Sequence, residues 1–151
     1  EGDFIIIGTD MGTVKHIGLK TTRITHINGQ ELIVSNRELT TARILNNKKM
    51  ERRRIAFTFG VEYKTSVKKL KKIVVIVKDI FSKIKAAELD RVHFRAFGDF
   101  SLNFEVVYFI NSQDFNVYMD TQQEINLQIK ERFEKEKIDF AFPTQTIHLQ
   151  K

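Results

Sequence analysis

Apolar positions in the first 47 residues come in short bursts separated by turn residues. Phe4 to Ile7 is a compact apolar strand, and Gly8 and Gly12 bracket a turn. Val14, Ile17 and Leu19 form a second strand, and Thr21 to Ile27, rich in β-branched residues, a third. Asn28-Gly29 is the hairpin signal of a type I′ turn, which needs positive φ at both positions. Leu32 to Val34 returns as a fourth strand. Four or five strands in so short a stretch predict a small β-barrel, whose closure would remove the exposed sheet edges.

The rhythm changes after residue 54. Ile55, Phe57, Phe59 and Val61 alternate as a half-buried strand requires. Val67, Leu70, Val74, Val77, Phe81 and Ile84 recur at helical spacing, predicting an amphipathic helix from about Ser66, its N-cap, to Ala86. Val92, Phe94 and Ala96 alternate again, Gly98-Asp99 makes a turn, and Phe100, Leu102, Phe104, Val106, Tyr108 and Ile110 form the clearest strand in the chain. A second helix, about Asp114 to Glu136, lines its inner face with Phe115, Tyr118, Ile125, Ile129 and Phe133. A last strand near Ile138 to Phe142 completes β-α-β-β-α-β, the split βαβ or ferredoxin-like order. The fold class expected is therefore α+β. Residues 1–53 form a β domain, 54–142 an α/β domain, and 143–151 a tail of strand character beyond Pro143, the single proline. That tail needs a partner, its own sheet edge or another chain.

Composition narrows the function. Of 151 residues, 42% are hydrophobic and 29% charged, the profile of a folded domain. Thirteen Phe residues supply core bulk, and the absence of Cys excludes disulfides and thiolate chemistry and fits a reducing compartment. The longest apolar run, Ile73 to Val77, falls far short of the roughly 20 residues of a membrane-spanning helix. The net charge of +6 is uneven: residues 1–75 carry 15 Lys/Arg against 7 Asp/Glu. The excess peaks at Lys48, Lys49, Arg52, Arg53 and Arg54, a cluster suited to phosphate, anionic lipid or permeating anions, or to a solvated link between two domains.

A search for catalysis is negative. His16, His26, His93 and His148 lack metal-ligand spacing, no serine sits in a nucleophile elbow, and Gly8 and Gly12 are wrongly spaced for a phosphate loop. Glu134 and Glu136 lie on a solvated helix end. No enzyme activity, metal or cofactor is expected. A basic barrel followed by a ferredoxin-like fold is compatible with RNA binding, but Phe57, Phe59, Phe94, Phe104 and Tyr108 fall on faces expected to be buried rather than free to stack on bases.

The order of short motifs resembles the cytoplasmic region of the small-conductance mechanosensitive channel family. The resemblance runs through Glu1-Gly2-Asp3-Phe4-Ile5-Ile6, Gly12-Thr13-Val14, Ile17-Gly18-Leu19, Thr21-Thr22-Arg23-Ile24, Asn28-Gly29, Leu32-Ile33-Val34-Ser35-Asn36 and Ile44-Leu45-Asn46-Asn47. It ends with Phe140-Ala141-Phe142-Pro143-Thr144-Gln145 and Thr146-Ile147-His148-Leu149. Ser35-Asn36 replaces the family's Pro-Asn, which is expected to loosen that turn, and Thr144 replaces a second Pro. Gly12, Asn28, Gly29, Ser35 and Asn36 are thus the turn residues to follow.

The resemblance implies an Sm-like β domain, then an α/β domain, in a homo-heptamer that forms a hollow vestibule with side portals. Thr144, Gln145, Thr146, Ile147, His148 and Leu149 would join an inter-subunit barrel. Membrane helices, absent from this sequence, would contact lipid and open a pore under tension, releasing ions and osmolytes on hypoosmotic shock. The region would lie on the cytoplasmic side of the inner membrane, and Lys48, Lys49, Arg52, Arg53 and Arg54 would act as a portal ion filter. The competing reading is a soluble RNA-binding or regulatory module reusing the same folds.

Overall fold

A computed structural model describes residues 1–147, so His148 and Leu149 lie outside the described residues. The chain divides into two compact units, Glu1–Glu51 and Arg52–Lys151.

The first unit is an antiparallel sheet of β1 (Phe4–Ile7), β2 (Asp10–Ile17), β3 (Thr21–His26), β4 (Glu31–Ser35) and β5 (Ile44–Asn46), in the order β4-β3-β2-β1-β5. Ile5, Val14, Ile24 and Val34 are its buried core, flanked by Ile7, Leu32 and Leu39. The barrel expected from the strand count is not closed by backbone pairing: among the described residues β4 pairs with β3 and β5 with β1. A cleft of about 530 Å³ is lined by Ile7 of β1, Leu32 and Val34 of β4, and by Glu38 and Arg43.

Three turn expectations change. Gly12 lies inside β2, opposite Ile5 and His26, and the turn is at Gly8-Thr9. A Cβ on Gly12 would stand 2.3 Å from the Thr25 carbonyl oxygen, so this glycine permits close approach of two strands. At the β3–β4 connection only Gly29 has positive φ, +89°; Asn28 does not, so the type I′ turn is absent. The Gly29 N–H donates to the His26 carbonyl and the His26 N–H to Gln30, a three-residue connection with glycine in the left-handed position. Ser35 does not loosen its turn. It caps helix α1 (Asn36–Thr41), its Oγ accepting from the Glu38 N–H at 3.2 Å, in the Ser-x-x-Glu arrangement of a capping box. Asn36 latches this corner: its Oδ1 accepts from the buried Thr22 hydroxyl (2.8 Å), and its amide donates to the Gly18 carbonyl (2.9 Å).

The second unit is a three-stranded antiparallel sheet with two helices on one face. Its strands β6 (Arg53–Val61), β8 (Leu102–Ile110) and β7 (Ala87–Phe97) lie in that order. β8 is central and paired on both sides: Leu102, Phe104, Val106, Tyr108 and Ile110 are buried on the helix face, and Val107 is buried on the opposite one. Phe100, expected in this strand, precedes it and is exposed.

Helix α2 (Val67–Lys83), capped by Ser66, buries Ile73, Ile76, Val77, Ile80 and Phe81. The buried face is rotated from the one predicted, leaving Val67 68% exposed. Ile73 to Val77 is apolar all round, so the sheet, not the spacing, selects the inward stripe. Helix α3 (Phe115–Lys135) buries Thr121, Ile125, Ile129 and Phe133, while Phe115 is exposed. Tyr108 meets Phe57 and Phe81 with ring centroids 6.1 and 5.1 Å away and donates its hydroxyl to Gln122 Oε1 (2.8 Å). Burial raises its pKa. Each such buried aromatic contributes about 1.5–3 kcal/mol by burial and its ring pairs about 0.5–1.5 kcal/mol more.

The last strand expected, Ile138 to Phe142, is reduced to a single antiparallel bridge, Val61 to Phe140. The Glu62 N–H donates to Asp139 and the Ala141 N–H to Gly60. The reason lies in how α3 ends. The Ile138 N–H reaches back to Phe133 and the Lys137 N–H to Glu134, a Schellman motif that consumes these residues, with Lys137 at φ +54° where glycine is usual. Pro143 then removes a donor three residues beyond the bridge. Thr144 to Ile147 form no strand.

Two glycine exchanges should shift stability in opposite directions. Gly12→Ala is expected to cost about 1–3 kcal/mol through overpacking against backbone. Lys137→Gly should stabilise by about 0.5–1 kcal/mol by relieving left-handed strain. Urea unfolding measures both; a neutral Gly12→Ala would refute the close approach at Thr25.

Candidate functional site: a guanidinium-lined sheet face

The basic run Lys48 to Arg54 is divided between the two units. In the first unit Lys48 Nζ reaches Asp3 Oδ1 (3.4 Å) and the Gly2 carbonyl (3.3 Å), and Lys49 is exposed. A hydrogen bond from Asn46, helped by Lys48, lowers the Asp3 pKa.

In the second unit strand alternation separates neighbouring arginines. Arg53 turns to the helix side, where its Nη2 donates to the Gln113 carbonyl (3.2 Å). Its guanidinium carbon lies 5.8 and 5.7 Å from the Phe115 and Tyr118 ring centroids, and its Nε is buried without a partner. Arg54 points to the opposite, helix-free face, next to Phe109 in the ladder. Arg52 lies over the Phe109 ring at 4.4 Å and pairs with Glu88 (2.7 Å).

That face holds residues the sequence search missed. Arg91-x-His93-x-Arg95 on β7 faces Glu105 of β8, whose register partners are Thr58 and His93. Glu105 accepts from Arg91 and from Arg95, each at 2.5 Å, and its side chain is only 12% exposed. The hydrogen bond from Arg91 lowers its pKa, with Arg95 and Arg54 adding attraction. Four guanidinium groups (Arg52, Arg54, Arg91 and Arg95) thus meet two carboxylates, Glu88 and Glu105, leaving a cationic excess. The signal was present as an Arg-x-His-x-Arg period of two opposite one acidic residue in an otherwise apolar strand; only pairing reveals that they meet. No cluster of acidic or histidine side chains suited to a metal occurs among the described residues, and no helix there is long and apolar enough to cross a membrane.

The chain is an α+β protein of two units, the second presenting a charged sheet face. Comparison with known proteins specifies it. The family model described as "Mechanosensitive ion channel, beta-domain" matches residues 1–49, and "Mechanosensitive ion channel MscS, C-terminal" matches residues 55–140. The chain therefore belongs to the MscS family of mechanosensitive ion channels, a family that is not enzymatic.

It is 40% identical over 151 residues to the small-conductance mechanosensitive channel MscMJ of Methanocaldococcus jannaschii, and 36% identical over 155 residues to the large-conductance channel MscMJLR of the same organism. Each match covers 99% of this chain and 43% of the relative, so the chain spans less than half of these proteins. Helicobacter pylori MscS in its closed state shares the fold at TM-score 0.83 and 24% identity, covering 100% of this chain and 59% of that one. Arabidopsis thaliana MSL1 does so at TM-score 0.84 and 18% identity, covering 94% and 52%.

Glu105 offers a pH test. Because its pKa is lowered in the folded state, its contribution to stability is complete above the unfolded-state value and is lost as pH falls through the lowered one. Glu105→Gln should therefore destabilise at neutral pH, with the gap from the parent closing on acidification. Denaturant midpoints across that range report it; a gap independent of pH would refute the coupling.

Proposed function

We propose that this chain is the cytoplasmic vestibule region of a mechanosensitive channel subunit, with residues 1–53 as an Sm-like β domain, 54–142 as a ferredoxin-like α/β domain, and 143–151 as an inter-subunit strand. The observation that carries this reading is the match of two consecutive channel-family models, in the order expected, across almost the whole chain. The order Phe140 bridge, β6, β8, β7, with both helices on one face, supports the ferredoxin-like assignment. The full-length protein then sits in the inner membrane as a homo-heptamer. Helices outside this chain contact lipid and sense tension, and opening releases ions and osmolytes during hypoosmotic shock. A ring beneath the helices biases an equilibrium between two states of different membrane area.

The basic residues Lys48, Lys49, Arg52, Arg53 and Arg54 are assigned to the portals, where fixed positive charge concentrates anions. Arg53, held at Gln113, serves more in anchoring than in filtering. In membrane patches the full-length protein should open under suction. Neutralising Lys48, Lys49, Arg52 and Arg54 together should move the reversal potential in asymmetric salt toward less anion preference. An absence of tension-gated current would refute the channel, and an unchanged reversal potential would refute the filter alone.

Deleting Thr144 to Lys151 should lower both the fraction of assembled ring and its thermal midpoint. Unaltered native mass and midpoint would exclude the tail as an assembly strand.

A further inference from the structure

Among the described residues the second unit carries two exposed apolar surfaces, and they lie on one row of the sheet. Phe97 pairs with Leu102, Leu102 with Val61, and Val61 bridges to Phe140. The row therefore runs from Phe97 at the β7 edge to Phe140 at the opposite edge, three strand spacings or roughly 14 Å away.

At the β7 edge Phe97 is 76% exposed, with Phe94 against it (ring centroids 5.0 Å) and Phe100 beyond the turn, also exposed. The turn is braced, the Gly98 N–H donating to the Ser101 carbonyl and the Tyr63 hydroxyl to the Gly98 carbonyl (2.5 Å). The result is a preformed aromatic knob. At the other edge Phe133, Ile138, Phe140 and Phe142 line a groove of about 310 Å³, with Phe142 71% exposed.

A knob and a groove on opposite edges cannot meet within one copy, but they can between copies, and repetition of such a head-to-tail contact yields a ring when the rotation closes. The groove is also lined by Lys130, Glu134, Lys137 and Asp139; Lys130 pairs with Glu134 and Asp139 with Lys64, which leaves the Lys137 charge to complement a partner. Asp99 stands at the tip of the knob between Phe97 and Phe100, and Lys137 stands on the rim of the groove; neither side chain enters an ion pair among the described residues. Backbone strand addition is disfavoured at β7, because two bulges break its edge and Arg91, His93 and Arg95 flank it. Side-chain docking is the contact this edge permits.

We propose that Phe94, Phe97 and Phe100 of one copy seat in the Phe140–Phe142 groove of a second copy, with Asp99 facing Lys137, so that successive α/β units join head to tail. This rests on the ring assembly proposed above and names a contact that builds it.

This chain has no Cys, so once any cysteine elsewhere in the full-length protein is replaced by serine, engineered cysteines report cleanly. In the full-length protein purified in detergent, the double variant Phe97→Cys/Phe142→Cys should give, under mild oxidation, a ladder of cross-linked species ending at the closed ring. Each single variant should stay uncross-linked. Adding Asp99→Lys should diminish the ladder, and Asp99→Lys with Lys137→Asp should restore it. Dimers from a single variant would replace the head-to-tail contact with a two-fold one and overturn the proposal. No ladder from the double variant, with native mass still showing a ring, would overturn it while leaving the ring intact. A native mass of one subunit for the parent protein would overturn both.

Discussion

The second unit depends on the period-two alternation of β8. Because this strand is hydrogen-bonded on both sides, its side chains have only two directions open to them. One direction receives Leu102, Phe104, Val106, Tyr108 and Ile110, and both helices pack onto that row. A slip of one residue would turn every one of these side chains out and bring Asn103, Glu105, Val107 and Phe109 in, burying a carboxylate and an amide, so the register admits no drift. The remaining features follow from this row: the face of α2 that turns inward, the Tyr108 hydroxyl's reach to Gln122, and the Phe59–Phe104 stack at 5.4 Å.

The same alternation distributes the charge. Arg52, Arg53 and Arg54 are consecutive in the chain but diverge in space, one stacked on Phe109, one turned to the helix side, one on the open face. Arg91 and Arg95 come from another strand to converge on Glu105. A carboxylate at 12% exposure would be costly alone; two guanidinium partners at 2.5 Å satisfy it and leave the face cationic. Four guanidinium groups against two carboxylates give this face a local positive field.

The first unit works with a smaller core and is held by local devices. Close approach at Gly12, the left-handed Gly29, the Ser35 cap and the Asn36 latch each fix one corner of a sheet whose buried core is four aliphatic residues. The departure from Pro-Asn at Ser35-Asn36 exchanges a rigid φ for a hydrogen-bonded cap at the same place, which explains how the corner stays ordered without proline.

Periodicity alone determined most of the element order: the strand at Ile55 to Val61, the helix beginning after Ser66, the strand from Leu102 to Ile110, and the long second helix. Tertiary structure decided the rest. Which stripe of Ile73 to Val77 faces inward depends on the sheet beneath, because an all-apolar turn carries no directional signal. Gly12 reads as a turn until β3 is brought against it. The strand expected after Ile138 shrinks to a bridge because the cap of α3 uses its first residues. Glu105 meets Arg91 and Arg95 only through strand register, and Phe97 and Phe140 share a row only because β6 and β8 lie between them. Local spacing encodes which face a side chain takes; it does not encode which distant strand that face will meet.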